Sequence, residues 1–271
     1  RKTSGKTTRA FALDTENPHA EGGFVLPKVR LRLATAVENI KKTDRNVIGV
    51  LPPGRRAAAP EYVLVGAHYD HLGFGESGAM QRKGEEDQVH NGADDNASGV
   101  AAVLEIAQAF KAGGIRPKRS ILFLFFSGEE RDNLGAEHYL QHPIFPLEKT
   151  IAMLNLDMVG RGRTGAFMIF GVGTSPTFAG LLEQQEKELG EGTGTPLTVH
   201  HGNPDPGAGD NTAFYRRGIP AMLFHTGAHA EYHTPEDDWP HINPANLQLI
   251  SRLAFLTTVE LAIRRAERPP F

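Results

Sequence analysis

Acidic and imidazole side chains recur at the ends of apolar runs along this chain. His68 and Asp70 follow residues 62–67, Glu129 and Glu130 follow 120–126, and Asp157 follows 151–156. His233 lies in the polar stretch after 221–224, and Asp94 and Asp95 stand just before a segment of helical periodicity. One acid after one apolar run is ordinary; the joint placement points to a site. Cysteine is absent, which excludes disulfides, thiolate metal sites and cysteine nucleophiles. Carboxylates and imidazoles without sulfur suit zinc, and also manganese or cobalt. A catalytic zinc takes about three protein ligands and a water. His68, Asp95, Glu130, Asp157 and His233 therefore supply enough donors for two ions about 3.5–4 Å apart with one shared carboxylate, for which Asp95 is our choice. In Gly128-Glu129-Glu130 the adjacent side chains diverge, so one can ligate while its neighbour faces the reacting water as a general base.

These residues need elements to hold them. Residues 46–51, 62–67, 120–126, 151–156, 167–170, 197–200 and 221–224 read as strands, and the alternation over 29–40 predicts a further half-exposed one. Ser98 reads as the N-cap of a helix with Val100, Val103, Leu104, Ala107 and Phe110 on its apolar face, stopped by Gly113-Gly114. Further helices are expected at 134–141, 178–189, 211–217 and 243–265. Strands alternating with helices predict an α/β layered fold with a largely parallel sheet. Ligands in such folds bind beyond the carboxyl ends of the strands, where the acids and histidines fall.

The chain has 271 residues, enough for one large domain or two small ones. Hydrophobic residues at 39% are sufficient for a sizeable core, and 29 basic against 32 acidic residues leave no strongly basic footprint for nucleic acid. No apolar stretch is long enough to span a bilayer. The first residues are not a signal peptide and do not begin with Met, so we expect a processed or trimmed chain.

From about Asn46 to Leu261 the sequence resembles the M28 family of zinc aminopeptidases. The resemblance rests on VLVGAHYDHLG (63–73), NGADDNASGVAAVLEIA (91–107), RSILFLFFSGEERDNLGAEHY (119–139), LNLDMVG (154–160) and EYHTPEDD (231–238). It implies a three-layer α/β/α sandwich around a mixed, largely parallel sheet, and a pair of zinc ions. It places His68 and Asp157 on one ion, Glu130 and His233 on the other, and Asp95, the second aspartate of GADDNASG, between them. Glu129 takes the general-base place and Asp70 the place that orients the His68 imidazole. The family usually reads Ser-Asp-His where this chain has Gly209-Asp210-Asn211. Asp210 and His229 are expected in the substrate pocket, Trp239 packed under the Pro-rich loop, and 73–88 at the rim.

The implied activity is hydrolysis of the first peptide bond of a peptide with a free N-terminus, in a secreted or periplasmic setting. Residues 1–45 are expected to be an extension left from a neighbouring protease-associated domain, and 46–271 the catalytic domain. A carboxypeptidase or aminoacylase on the same scaffold is the nearest alternative. A one-zinc glutaminyl cyclase and a metal-free receptor-like domain are different classes, and the intact ligand set with Glu129 argues against both.

Overall fold

The structure, a computed structural model, describes residue 36 and residues 41–54, 60–80, 88–202 and 206–263. The chain divides into two compact units, Arg1–Thr43 and Asp44–Phe271, and every element below belongs to the second. The strand expected at 29–40 lies, residue 36 apart, outside the described residues.

Among the described residues, seven strands form one sheet: β1 (Val47–Leu51), β2 (Tyr62–His68), β3 (Ser120–Phe126), β4 (Thr150–Leu156), β5 (Ala166–Phe170), β6 (Thr198–His201) and β7 (Ala221–His225). Their order across the sheet is β1-β3-β2-β4-β7-β5-β6. The central four, β3, β2, β4 and β7, are parallel; β1 and β5 join their neighbours antiparallel, and β6 runs parallel to β5. The sheet is therefore mixed, with a parallel centre. Each of β2 and β4 is buried along its whole length, as expected of parallel strands covered on both faces.

Helices α1 (Gly99–Ala112), α3 (Phe178–Thr193) and α5 (Pro244–Ile263) cover one face, with Val103, Ile106, Phe110, Phe178, Leu182 and Ile250 in the shared core. Helices α2 (Leu134–Gln141) and α4 (Asp210–Arg216) cover the other, where Tyr139 and Phe214 pack with Leu64, Leu122 and Phe126. That is the expected three-layer sandwich. Among the described residues no helix is long and apolar enough to cross a membrane.

The structure corrects three local expectations. The buried stripe of α1 runs through Gly99, Ala102, Val103, Ile106 and Phe110, leaving Leu104 55% exposed. Ser98 stands at the N-cap, but its hydroxyl does not cap the helix: it donates to the Asp94 carbonyl and accepts from the Val159 amide. Asn96 supplies the cap, its Oδ1 accepting from Gly99 N at 3.0 Å while its Nδ2 donates to Leu156 O. This ties the start of α1 to the end of β4. Trp239 is 80% exposed and does not pack under the loop.

Candidate metal centre

The parallel centre of the sheet sends β2, β3, β4 and β7 to one edge. His68 is the last residue of β2, Asp157 directly follows β4, and Glu129 and Glu130 form the turn after β3. His233 lies beyond β7 with a left-handed backbone, φ 56°. Residue 128 adopts φ 75° in the turn after β3, which Gly tolerates without a Cβ penalty. Asp95 sits in the turn leading into α1.

The five donors meet as two groups that share Asp95. His68 Nε2 lies 3.2 Å from Asp95 Oδ1 and 3.3 Å from Asp157 Oδ1. His233 Nε2 lies 3.2 Å from Asp95 Oδ2 and 3.2 Å from Glu130 Oε2. Glu129 Oε2 is 3.9 Å from His68 Nε2. Among the described residues, donor atoms of His68, Asp95 and Glu130 all lie close enough to hold one cation.

Both imidazoles are oriented from behind. His68 Nδ1 donates to the Asp70 carbonyl at 3.1 Å, with Asp70 Oδ1 at 3.6 Å. His233 Nδ1 donates to Gly78 O at 2.8 Å, and Met80 N donates to His233 O, so the rim segment at 73–80 grips this histidine directly. With the proton on Nδ1, each Nε2 turns a lone pair towards the carboxylates. Among the described residues, His68 Nε2 and Asp157 Oδ1 are buried without a hydrogen-bond partner. Acceptor atoms converging in this way are stable only around a shared cation or proton. Their 3.2–3.3 Å spacing also matches a tetrahedral ion, because bonds of about 2.0–2.1 Å place neighbouring ligands about 3.3 Å apart. The residues present thus fit zinc by donor type and by spacing.

Residues 46–258 match the model of Peptidase family M28. The chain belongs to peptidase family M28. Aminopeptidase YwaD of Bacillus subtilis (strain 168) is 29% identical over 236 residues, covering 84% of this chain and 47% of that relative. A vacuolar membrane protease of Aspergillus fumigatus is 30% identical over 227 residues, 80% of this chain and 20% of that relative. The crystal structure of BSAP, a zinc aminopeptidase from Bacillus subtilis, superposes with a TM-score of 0.64 at 26% identity, covering 83% of this chain and 52% of that one. The chain spans about half the length of the first two Bacillus proteins. A Bacteroides thetaiotaomicron glutaminyl cyclase shares the fold, with a TM-score of 0.61 at 21% identity.

In this M28 chain the electrostatics of the centre follow from burial and crowding. Burial opposes charging His68, but Asp157, Asp70 and Asp95 outweigh it and hold the imidazole well above its ordinary value. His233 is likewise raised to about 10 against the effect of burial, by Asp95 and Glu130. The same pairs hold Asp95 and Glu130 below the usual carboxylate range despite burial. Without metal, protons take the cationic places, so metal binding should release them. Glu129 is different: burial raises it to about 8, with His68 opposing and Asp157, Asp210 and Glu130 adding to the rise.

The residues that brace this centre were mostly missed by sequence reasoning. Asp70 was expected to orient His68; its carboxylate also accepts from the amides of Glu129 at 3.1 Å and Glu130 at 3.4 Å. Asp237 was not anticipated. It is fully buried and accepts from the amides of both Asp94 and Asp95 through Oδ2, at 2.9 and 3.0 Å. Its Oδ1 accepts from the Arg161 guanidinium at 2.8 Å. The Asp237 side chain therefore fixes the backbone that carries Asp95. The only sequence signal for it is its place in EYHTPEDD, four residues after His233. His71, also unanticipated, contacts Glu130. Asp210 is buried at the start of α4, its carboxyl pushed up to about 8 by burial. His229 Nε2 lies 3.3 Å from Asp94 Oδ2 and its Nδ1 3.1 Å from Glu231, beside the turn that carries Asp95.

Proposed function

We propose that this chain is a zinc-dependent aminopeptidase domain holding two zinc ions. The observation that carries the reading is Asp95, whose two carboxylate oxygens each lie 3.2 Å from the Nε2 of a different histidine. His68 and Asp157 would hold one ion, His233 and Glu130 the other, with Asp95 shared; manganese or cobalt can substitute with such ligands. When bound, zinc supplies Lewis-acid chemistry to the scissile carbonyl and to water.

Glu129 is the general base. Its backbone is tied by Asp70 and its carboxyl reaches the His68 side of the centre, where burial raises its proton affinity in the metal-free chain and bound cations would lower it again. A base poised near the working pH both accepts and returns a proton efficiently. Glu129 takes the proton of the attacking water and delivers it to the departing amine. The names of the relatives support exopeptidase action. The acidic cluster of this chain is suited to receive the substrate ammonium group, which orients the first peptide bond.

The test compares kcat/KM for an aminoacyl anilide and its N-acetyl analogue, alongside zinc content. We expect about two zinc per chain and cleavage of the free-amine substrate alone. A kcat/KM ratio near one, or cleavage inside a blocked peptide, would overturn the aminopeptidase reading.

A further inference from the structure

We propose that His71 is a positioning residue that aims Glu130 at the His233 half of the centre and makes the two halves unequal in cation affinity. The proposal rests on the two-zinc reading above. His71 Nδ1 lies 2.7 Å from Glu130 Oε1, while Glu130 Oε2 lies 3.2 Å from His233 Nε2. The two oxygens of one carboxylate are thus divided between a brace and the centre.

The brace has little room to move. The His71 side chain is 9% exposed, and its ring stands edge-on to His233 at a centroid distance of 5.8 Å. His90 packs on it at 6.4 Å. The chain at Gly92 passes so close that a Cβ there would lie 2.7 Å from His71 Cγ. A carboxylate oxygen can only accept, so it is His71 Nδ1 that donates to Glu130 Oε1.

The other half is built differently. Asp157 Oδ1 faces His68 Nε2 as Glu130 Oε2 faces His233 Nε2, and among the described residues no side chain stands behind the Asp157 carboxylate as His71 stands behind Glu130; orientation there comes through the imidazole of His68, held by Asp70. Both halves are braced behind their histidines, His68 by Asp70 and His233 by the Gly78 carbonyl, and the His233 half alone gains a second brace behind its carboxylate, from His71. Asp70 and His71 both lie on the segment that leaves β2.

The test is zinc titration of the chelator-stripped chain against a competing chromophoric chelator, for wild type, His71→Ala, His71→Asn and His71→Gln. Loss of such an outer partner typically weakens metal binding about 10–100-fold. We expect wild type to bind two ions. His71→Ala should keep one affinity within about threefold and lose about 10–100-fold in the other. Asn places an amide N–H near the Nδ1 position and should restore most of the loss, whereas Gln should resemble Ala. Thermal unfolding under chelator identifies any variant that does not fold, and the Asn–Gln contrast carries the test if Ala fails. Unchanged affinities, equal weakening of both ions, or Asn no better than Gln would overturn this proposal alone. One ion or none in wild type would overturn the two-zinc reading, and this proposal with it.

Discussion

Replacing Asp237 by Ala should unfold the brace beneath Asp95 without touching a proposed ligand. The carboxylate is fully buried and ion-paired to Arg161 at 2.8 Å, so its removal strands a guanidinium whose side chain is only 10% exposed. Breaking a buried pair from one side costs about 3–5 kcal/mol. Two amides, of Asp94 and Asp95, lose their shared acceptor as well. Each buried orphan donor costs about 1–3 kcal/mol, but these losses overlap with the first, and Glu231 at 3.7 Å remains near Arg161. The expected total is about 4–6 kcal/mol, or about 8–24 °C in Tm at about 2–4 °C per kcal/mol for a unit of this size. Urea unfolding under chelator, followed by circular dichroism, removes the contribution of metal linkage. Arg161→Met alone should cost less, because Asp237 keeps its two amide donors. The double variant should fall short of the sum by about 2–3 kcal/mol. An Asp237→Ala loss below about 1 kcal/mol, or additivity within about 0.5 kcal/mol, would refute the brace.

Three further outcomes are expected. Glu129→Gln should keep its metal by elemental analysis while kcat falls about 10²–10⁴-fold, and Glu130→Gln should instead release metal on dialysis; the reverse pattern would exchange their roles. Gly99→Ala places a Cβ 2.2 Å from Leu156 O and should destabilise by about 3 kcal/mol, the upper end for overpacking, so a loss under about 0.5 kcal/mol by urea unfolding would be inconsistent with the close approach. Asp210 is protonated in the folded chain up to about pH 8 but ionises near 4 when unfolded, so metal-free stability should fall as pH rises between these values. Asp210→Asn lacks that fall, and its Tm advantage under chelator should grow from pH 5 to pH 8; a constant difference would contradict the buried protonated carboxyl.

The chain's own order of residues determined the elements and the donors. Period-two and continuous apolar runs marked β1 to β7 because burial on the sheet faces is local to each strand. The proposed ligands were legible from their joint placement, His68, Glu130 and Asp157 after buried strands, Asp95 before a helix and His233 in the stretch beyond β7. The division of those donors into two groups came from the family resemblance and not from their spacing, because His68 and His233 are 165 residues apart and the parallel order β3-β2-β4-β7 is what brings their loops to one edge. The braces were hidden for the same reason. Asp237 looks like a solvated acid until Arg161 and the amides of Asp94 and Asp95 close around it from 76 and more positions away. Ser98 reads as a cap from its neighbours alone, yet the approach of Val159 claims its hydroxyl and leaves the cap to Asn96. Local sequence decides which backbone conformation each segment prefers; which polar group meets which is decided when the segments pack, because a buried donor or acceptor must find its partner wherever the fold puts one.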